Sequence, residues 1–268
     1  MEWTEYLKMI DEAWETLTKE TLHERFLEID AAVEADHGPD SWVCGAMKNE
    51  LGALYRGESR YEDAERCFRR AMTLFETHLG RQSSAYATAL NNLAGTHRLA
   101  KQLDLAEEEF NQCLELYRQT VGTDHVLYAS GLNNLSLVYL DRMDLPRAAE
   151  LQTQAAEILK ALPDQRDELA SSLINLGALY QRLGRFREAE ENLTEAIAML
   201  REELGTATPH YHAALNGLGV VHYGQGRFAE AEQCFLEASA AAQALYGPDH
   251  WEVRAAKEHA ALAREAQA

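Results

Sequence analysis

The sequence predicts an all-α protein, a stack of antiparallel helix pairs. Two observations carry that prediction: a phrase that recurs at a near-constant interval, and apolar columns inside it at helical spacing. The phrase reads NELGALYRGESRYEDAERCFRRA from Asn49, NNLAGTHRLAKQLDLAEEEFNQC from Asn91 and NNLSLVYLDRMDLPRAAELQTQA from Asn133. It returns as INLGALYQRLGRFREAEENLTEA from Ile174 and NGLGVVHYGQGRFAEAEQCFLEA from Asn216. The copies are therefore 42, 42, 41 and 42 residues apart. Tandem copies of this length are how a stack of one supersecondary unit appears in sequence.

The first helix of each copy has an invariant leucine: Leu51, Leu93, Leu135, Leu176 and Leu218. Four residues on stand Tyr55, His97, Tyr139, Tyr180 and His222, on the same helical face. Between them, next to the leucine, the residue is always small: Gly52, Ala94, Ser136, Gly177 and Gly219. A small side chain there lets a second helix come close. That helix follows a short turn and opens with Tyr61, Leu103, Leu145, Phe186 and Phe228. An invariant alanine follows (Ala64, Ala106, Ala148, Ala189, Ala231), then a bulky column of Phe68, Phe110, Gln152, Leu193 and Phe235. Ala71, Cys113, Ala155, Ala196 and Ala238 complete the apolar stripe.

The ends continue the register. One repeat before Leu51, Phe68 and Gly80 lie Met9, Phe26 and Gly38, so residues 1–43 read as a worn copy with Trp3 and Trp14 on its first helix. The last eighteen residues, WEVRAAKEHAALAREAQA, read as a lone first helix of the kind that caps a solenoid. The expected organisation is one domain over 1–268: the worn copy 1–43, repeats at 44–85, 86–127, 128–168, 169–210 and 211–247, and a capping helix at 248–268.

With L-G-x-x-Y followed by G-x-[YF]-x-x-A-x-x-x-F-x-x-A, the chain resembles the tetratricopeptide repeat family. The resemblance implies a right-handed superhelical solenoid. The common repeat of this family is about 34 residues, and these are longer. Together with the asparagine pair before the leucine and the linkers GTDH and GPDH, that resembles the kinesin-light-chain type. The chain departs from the pattern in two places. The turn glycine is Ser59, Lys101 and Met143 in three copies and returns as Gly184 and Gly226, and Gln152 replaces an aromatic.

Composition narrows the function. Twenty-five basic and 44 acidic residues leave a net charge of −19, the wrong sign for neutralising nucleic-acid phosphates. At 46% apolar residues the chain is not of the disordered class. No apolar run has the length of a membrane span, and MEWTEYLKMIDEAW lacks the basic and apolar blocks of a signal peptide. Four cysteines without a CxxC pairing fit free thiols, so a cytoplasmic setting is expected. His210, His212 and His222 are the nearest approach to a metal-ligand set, but His222, like His97, falls in the tyrosine column and reads as a core ring. Glu107, Glu108 and Glu109 point in different directions from one helix. Cys67, Cys113 and Cys234 read as small core fillers. With no phosphate loop, GxSxG or HExxH, the sequence leads us to expect neither catalytic residues nor a metal or cofactor, and no enzyme.

The sequence does offer a surface. With the invariant leucine as position seven, positions two, five, six, nine, twelve and thirteen lie opposite the core stripe. In the resembled family this side lines a concave groove. The candidate peptide-binding residues there are Asn49 and Arg56; Asn91, Asn92 and Arg98; Asn133 and Asn134; Asn175 and Arg182; and Asn216 and Tyr223. Three basic residues against two acidic ones in the groove favour an acidic ligand. Asparagine costs roughly 0.5 kcal/mol against alanine inside a helix, yet it recurs here. Its amide matches a peptide backbone, as groove asparagines do in the resembled families; the other use is a bridge between adjacent repeats. The expected function is a non-enzymatic protein–protein interaction scaffold or adaptor that binds an extended peptide segment. The alternatives are a regulatory sensor of a small signalling peptide and an assembly protein using its convex faces. The expected partner is a protein or peptide, neither nucleic acid nor membrane, and oligomeric state is left open.

Overall fold

The computed structural model describes residues 1–267, with the side chains of Lys19, Glu20 and Leu204 outside the description. The described residues form thirteen α-helices and one π-helical turn, with no strand among them. The helices are α1 (Trp3–Thr16), α2 (Lys19–His37), α3 (Trp42–Gly57), α4 (Tyr61–Leu79), α5 (Ser84–Leu99) and α6 (Leu103–Thr120). Then come α7 (Val126–Asp141), α8 (Leu145–Lys160), α9 (Arg166–Arg182), α10 (Phe186–Met199), α11 (Pro209–Gly224), α12 (Phe228–Tyr246) and α13 (Trp251–Glu265). The π turn, Leu200–Leu204, extends α10 and had no signal in the repeat pattern. No helix among the described residues is long and apolar enough to cross a membrane. The chain divides into two compact units, residues 1–138 and 139–268. In each, a helix packs mainly on its neighbours in sequence, and first helices also touch one another, α3 on α5 and α9 on α11.

The columns read from the sequence are the core. All five invariant alanines have 0% exposure, and Phe68, Phe110, Leu193 and Phe235 are buried beside them. The small column sits where the two helices of a repeat cross. A Cβ added to Gly52 would lie 2.7 Å from the Phe68 ring, and one on Gly219 would lie 2.6 Å from Phe235. Nothing larger fits without moving the aromatic ring. In the first unit the worn copy joins this core, since Tyr6, Ile10, Phe26 and Ile29 cluster with Met47 and Leu51.

Burial is not equivalent down the whole leucine column. Leu51, Leu93, Leu135 and Leu176 are buried, whereas Leu218 is half-buried. Leu93 clusters with Ala64 and Phe68 of the preceding repeat. Gln152 fills an aromatic position at 2% exposure, and its Oε1 has no partner among the described residues.

Two turn types set the helix angles. Inside each repeat the first helix ends on a left-handed residue: Ser59, Lys101, Met143, Gly184 and Gly226 have φ from 61° to 76°. The amide of the next residue donates back to the tyrosine-column carbonyl at 2.8–2.9 Å in all five copies, which closes a Schellman motif. Three copies thus hold a side chain in a conformation that glycine adopts freely. Between repeats, Gly80 takes φ 83° and ψ 157°, a region essentially limited to glycine. Three residues later Ser83 caps α5, its Oγ accepting from the Tyr86 amide at 3.3 Å. His125 and His250, the histidines of GTDH and GPDH, accept from Leu127 and Glu252 amides in the same role.

Candidate functional site

In the first unit the asparagines form a ladder. Asn92 Nδ2 donates to Asn49 Oδ1 at 3.0 Å, joining α5 to α3. Asn134 Nδ2 donates to Asn91 Oδ1 at 3.3 Å, joining α7 to α5. The rule is simple: position six of one repeat donates to position five of the repeat before. Asn91 is buried, while Asn49, Asn92, Asn133 and Asn134 are half-buried. Of the two uses open to these amides, the bridge between repeats is therefore present in the geometry. A mid-helix asparagine is legible in sequence, but its partner, an amide one repeat away, is not.

The ladder lapses in the second unit. Position five of the fourth repeat is Ile174 and position six of the fifth is Gly217, neither with an amide. Asn175 is exposed. Asn216 Nδ2 lies 3.1 Å from His212 Nε2, and its buried Oδ1 has no partner among the described residues. His212 Nδ1 donates to the Ala238 carbonyl at 3.0 Å. Tyr223 is 41% exposed and meets Phe228 edge-on at 5.2 Å. Arg182 is exposed and directs Nη2 to Met143 Sδ at 3.3 Å.

Of the candidate arginines, the first unit carries Arg56 on α3 and Arg98 on α5. Arg56 Nη1 approaches the Asn92 carbonyl and Oδ1, both at 3.4 Å, and its guanidinium lies 5.9 Å from the Phe68 ring centroid. Burial pulls its pKa below the usual arginine value, and Arg98 pushes the same way. Sequence reasoning missed a pocket of ≈ 260 Å³ on this face, where α1 contributes Trp3 and Leu7, α3 contributes Asn49 and Glu50, and α5 contributes Thr88. The available signal was the register itself, since Leu7 is position five of the worn copy.

The histidines and cysteines sit in different surroundings. His97 Nδ1 sits 2.6 Å from Glu109 Oε2, both groups buried. His222 is buried, and that burial lowers its pKa. His210 lies between Asp167 Oδ1, 3.2 Å from Nδ1, and Ser171 Oγ, 3.1 Å from Nε2. This relay-like trio escaped the sequence reading, and its His210 and Asp167 side chains are 39% and 66% exposed. Solvent at that level screens the pair. Among the described residues no three His, Cys, Asp or Glu side chains are grouped to hold a metal. All four cysteines are free. Burial pushes the Cys67 and Cys234 thiols up to about 11 and Cys113 to about 12, away from the thiolate form that reacts.

Comparison with known proteins agrees with this architecture. The tetratricopeptide repeat profile matches residues 43–119, 86–161, 127–202 and 213–252. No curated protein matches the chain. Among solved structures, BtubC (BKLC) from P. vanneervenii is similar at 21% identity and TM-score 0.70, over 90% of this chain and 92% of that one. A Podosopora anserina protein described as a kinesin light chain with nearly identical TPR-like repeats is similar at 20% identity and TM-score 0.62, over 73% and 93%. The apo quorum sensor NprR from B. thuringiensis is similar at 14% identity and TM-score 0.66, over 92% and 65%. Identities this low speak to fold alone. The profile matches, however, span well over half of the sequence: the chain belongs to the tetratricopeptide repeat family, and in fold it is similar to that family's kinesin-light-chain-type members.

Proposed function

We propose that the chain is a non-enzymatic interaction scaffold that binds an extended segment of a partner protein on the face of its first helices. One observation carries the reading. In the first unit two amide bridges join α3, α5 and α7, the helices α1, α3 and α5 line a pocket, and Arg56 on α3 neighbours Arg98 on α5. A surface held in one shape by its own hydrogen bonds loses little entropy when a ligand arrives. A bridging amide also keeps a spare donor and a spare lone pair. Asn49, Asn92 and Asn134 thus remain able to meet a peptide backbone, and Asn133 and, in the second unit, Asn175 and Asn216 stand at the equivalent positions. Buried Asn91 serves mainly the bridge. In the first unit Arg98 biases a bound segment toward acidic side chains; in the second unit, taken by itself, Arg182 and the exposed Tyr223 offer contacts of their own.

A second reading is a regulatory sensor of a small free peptide, favoured by the similarity in fold to a protein described as a quorum sensor. Small-angle scattering separates the two, because a sensor changes its dimensions when the peptide saturates it. The primary test is binding of the full chain to a positional-scanning library of N-acetylated peptides. Arg98→Ala should weaken acidic members selectively, whereas Glu108→Lys, on an exposed part of α6, should leave binding unchanged. Binding that follows Glu108 and ignores Arg98 would move the site to the second-helix faces.

A further inference from the structure

At α5 and α7 position six is an asparagine that donates back to position five of the preceding first helix. At α3 the same two positions are Glu50 and, on α1, Leu7. A carboxylate cannot donate and a leucine side chain cannot accept, so Glu50 has no bridge to make. The bond it receives comes from its neighbour Asn49, Nδ2 to Oε1, and is long at 3.3 Å. No ion pair reaches it among the described residues. It opens instead onto the pocket of ≈ 260 Å³, with Trp3, Leu7 and Phe75 as apolar wall and Asn49 and Thr88 as polar rim. Glu50 is the one ionisable group in that lining.

A carboxylate taken partly out of water without a cation is unfavourable unless a ligand completes it. We propose that this pocket is a subsite for a lysine or arginine side chain of the bound segment. The inference rests on the peptide-binding reading above and sharpens it. The alkyl stem of such a side chain lies along Leu7 and Phe75 while its head reaches Glu50. The Trp3 indole offers the cation a ring face. Burial already holds the Glu50 carboxyl above the usual carboxylate range, and Asp11 adds to that, against opposing contributions from Asn49 and Arg56. An arriving ammonium or guanidinium reverses the balance. A neutral or acidic side chain leaves it as it is. The preferred segment is therefore of mixed charge, basic at this subsite and acidic toward Arg98, rather than acidic throughout.

The experiment uses the full chain and the same N-acetylated library, so that only side chains can supply a cation. One position should select lysine or arginine over norleucine by at least roughly tenfold. Glu50→Gln, which keeps the shape and removes the charge, should abolish that selection while leaving the acidic preference that depends on Arg98. Trp3→Leu should weaken lysine peptides more than norleucine ones. Circular dichroism melts confirm that each variant is folded. Peptides that bind but show no basic preference, or keep it in Glu50→Gln, overturn the subsite and leave the scaffold reading standing. A chain that binds no peptide overturns both.

Discussion

The two compact units are built from the same repeat, but within each the repeats are fastened by a different mixture of contacts, even though the first unit also has an exposed pair, Arg70 with Asp40. In residues 1–138, amides run from Asn92 to Asn49 and from Asn134 to Asn91, and a half-buried Lys48 reaches Asp30 at 2.6 Å and Glu34 at 2.9 Å. In residues 139–268, exposed ion pairs bind one repeat to the next: Lys160 to Glu195 and Arg201 to Glu237, each at 2.8 Å. Arg227 spans two repeats, meeting Glu190 at 2.8 Å and its own Glu230 at 2.7 Å. The core columns specify the helix pair. The residues opposite them are free to vary, and they decide how one pair is fastened to the next. That freedom is what lets one repeat family offer different binding faces.

The strongest test of the shared part is truncation of the bulky column. Phe68→Ala in the first unit and Phe235→Ala in the second should each cost about 3–5 kcal/mol, because both rings are buried against a close helix crossing. Urea unfolding with hydrogen exchange would read the loss and localise it to adjoining repeats. Clearly unequal losses would mean that the two units do not share one core. The column also contains its own exception. Gln152→Leu keeps the volume and removes a buried oxygen with no partner among the described residues, so a gain of about 1–3 kcal/mol is expected. A loss would show that the amide has a partner in solution.

The amide ladder comes next. Asn92→Ala should cost about 0.5–1.5 kcal/mol, since it strands Asn49. Asn175→Ala, at the exposed counterpart position in the second unit, should be near neutral. Equal effects would erase the proposed difference in fastening. The turns predict smaller changes. Lys101→Gly and Met143→Gly relieve a left-handed side chain and should gain about 0.5–1 kcal/mol each. Gly226→Ala, at φ 76°, should lose a similar amount.

How much was legible follows from what each feature depends on. The alanine, phenylalanine and small columns are set by helical period alone, and they are buried where the register places them. The turn residues Ser59, Lys101 and Met143 could be aligned with Gly184 and Gly226 because their backbone position is fixed by the Schellman bond. Leu218 stands in the same column as four buried leucines, and nothing in the sequence marks it as the half-buried one. The asparagines showed that something polar was wanted mid-helix, but not whether a repeat or a ligand was to meet it. In sequence Glu50 reads as one more groove charge, because the leucine in the acceptor place, Leu7, belongs to the worn copy, whose residues match the pattern only loosely. Ser171, His210 and Asp167 come from two helices and meet only in space.

The smallest expected effect separates the two fastenings most cleanly. Arg227 is held by two carboxylates at a more accessible site, its side chain 36% accessible and those of Glu190 and Glu230 31% and 53%. Such a pair is screened by mobile ions, whose Debye length falls from about 10 Å at 0.1 M salt to about 3 Å at 1 M. Lys48 is different, its side chain 16% accessible and that of Asp30 14%. Burial alone would lower the Lys48 pKa, but hydrogen bonds to Asp30 and Glu34 outweigh it and hold the ammonium above its ordinary value. Salt reaches that pair poorly. Arg227→Met should therefore destabilise slightly at low salt and not at all near 1 M. Lys48→Met should cost more and lose little of that cost in salt, because it strands a half-buried carboxylate. Urea is the denaturant to use, since guanidinium would itself screen the pairs being compared. Parallel salt responses for the two variants would mean that both units are fastened by the same exposed electrostatics.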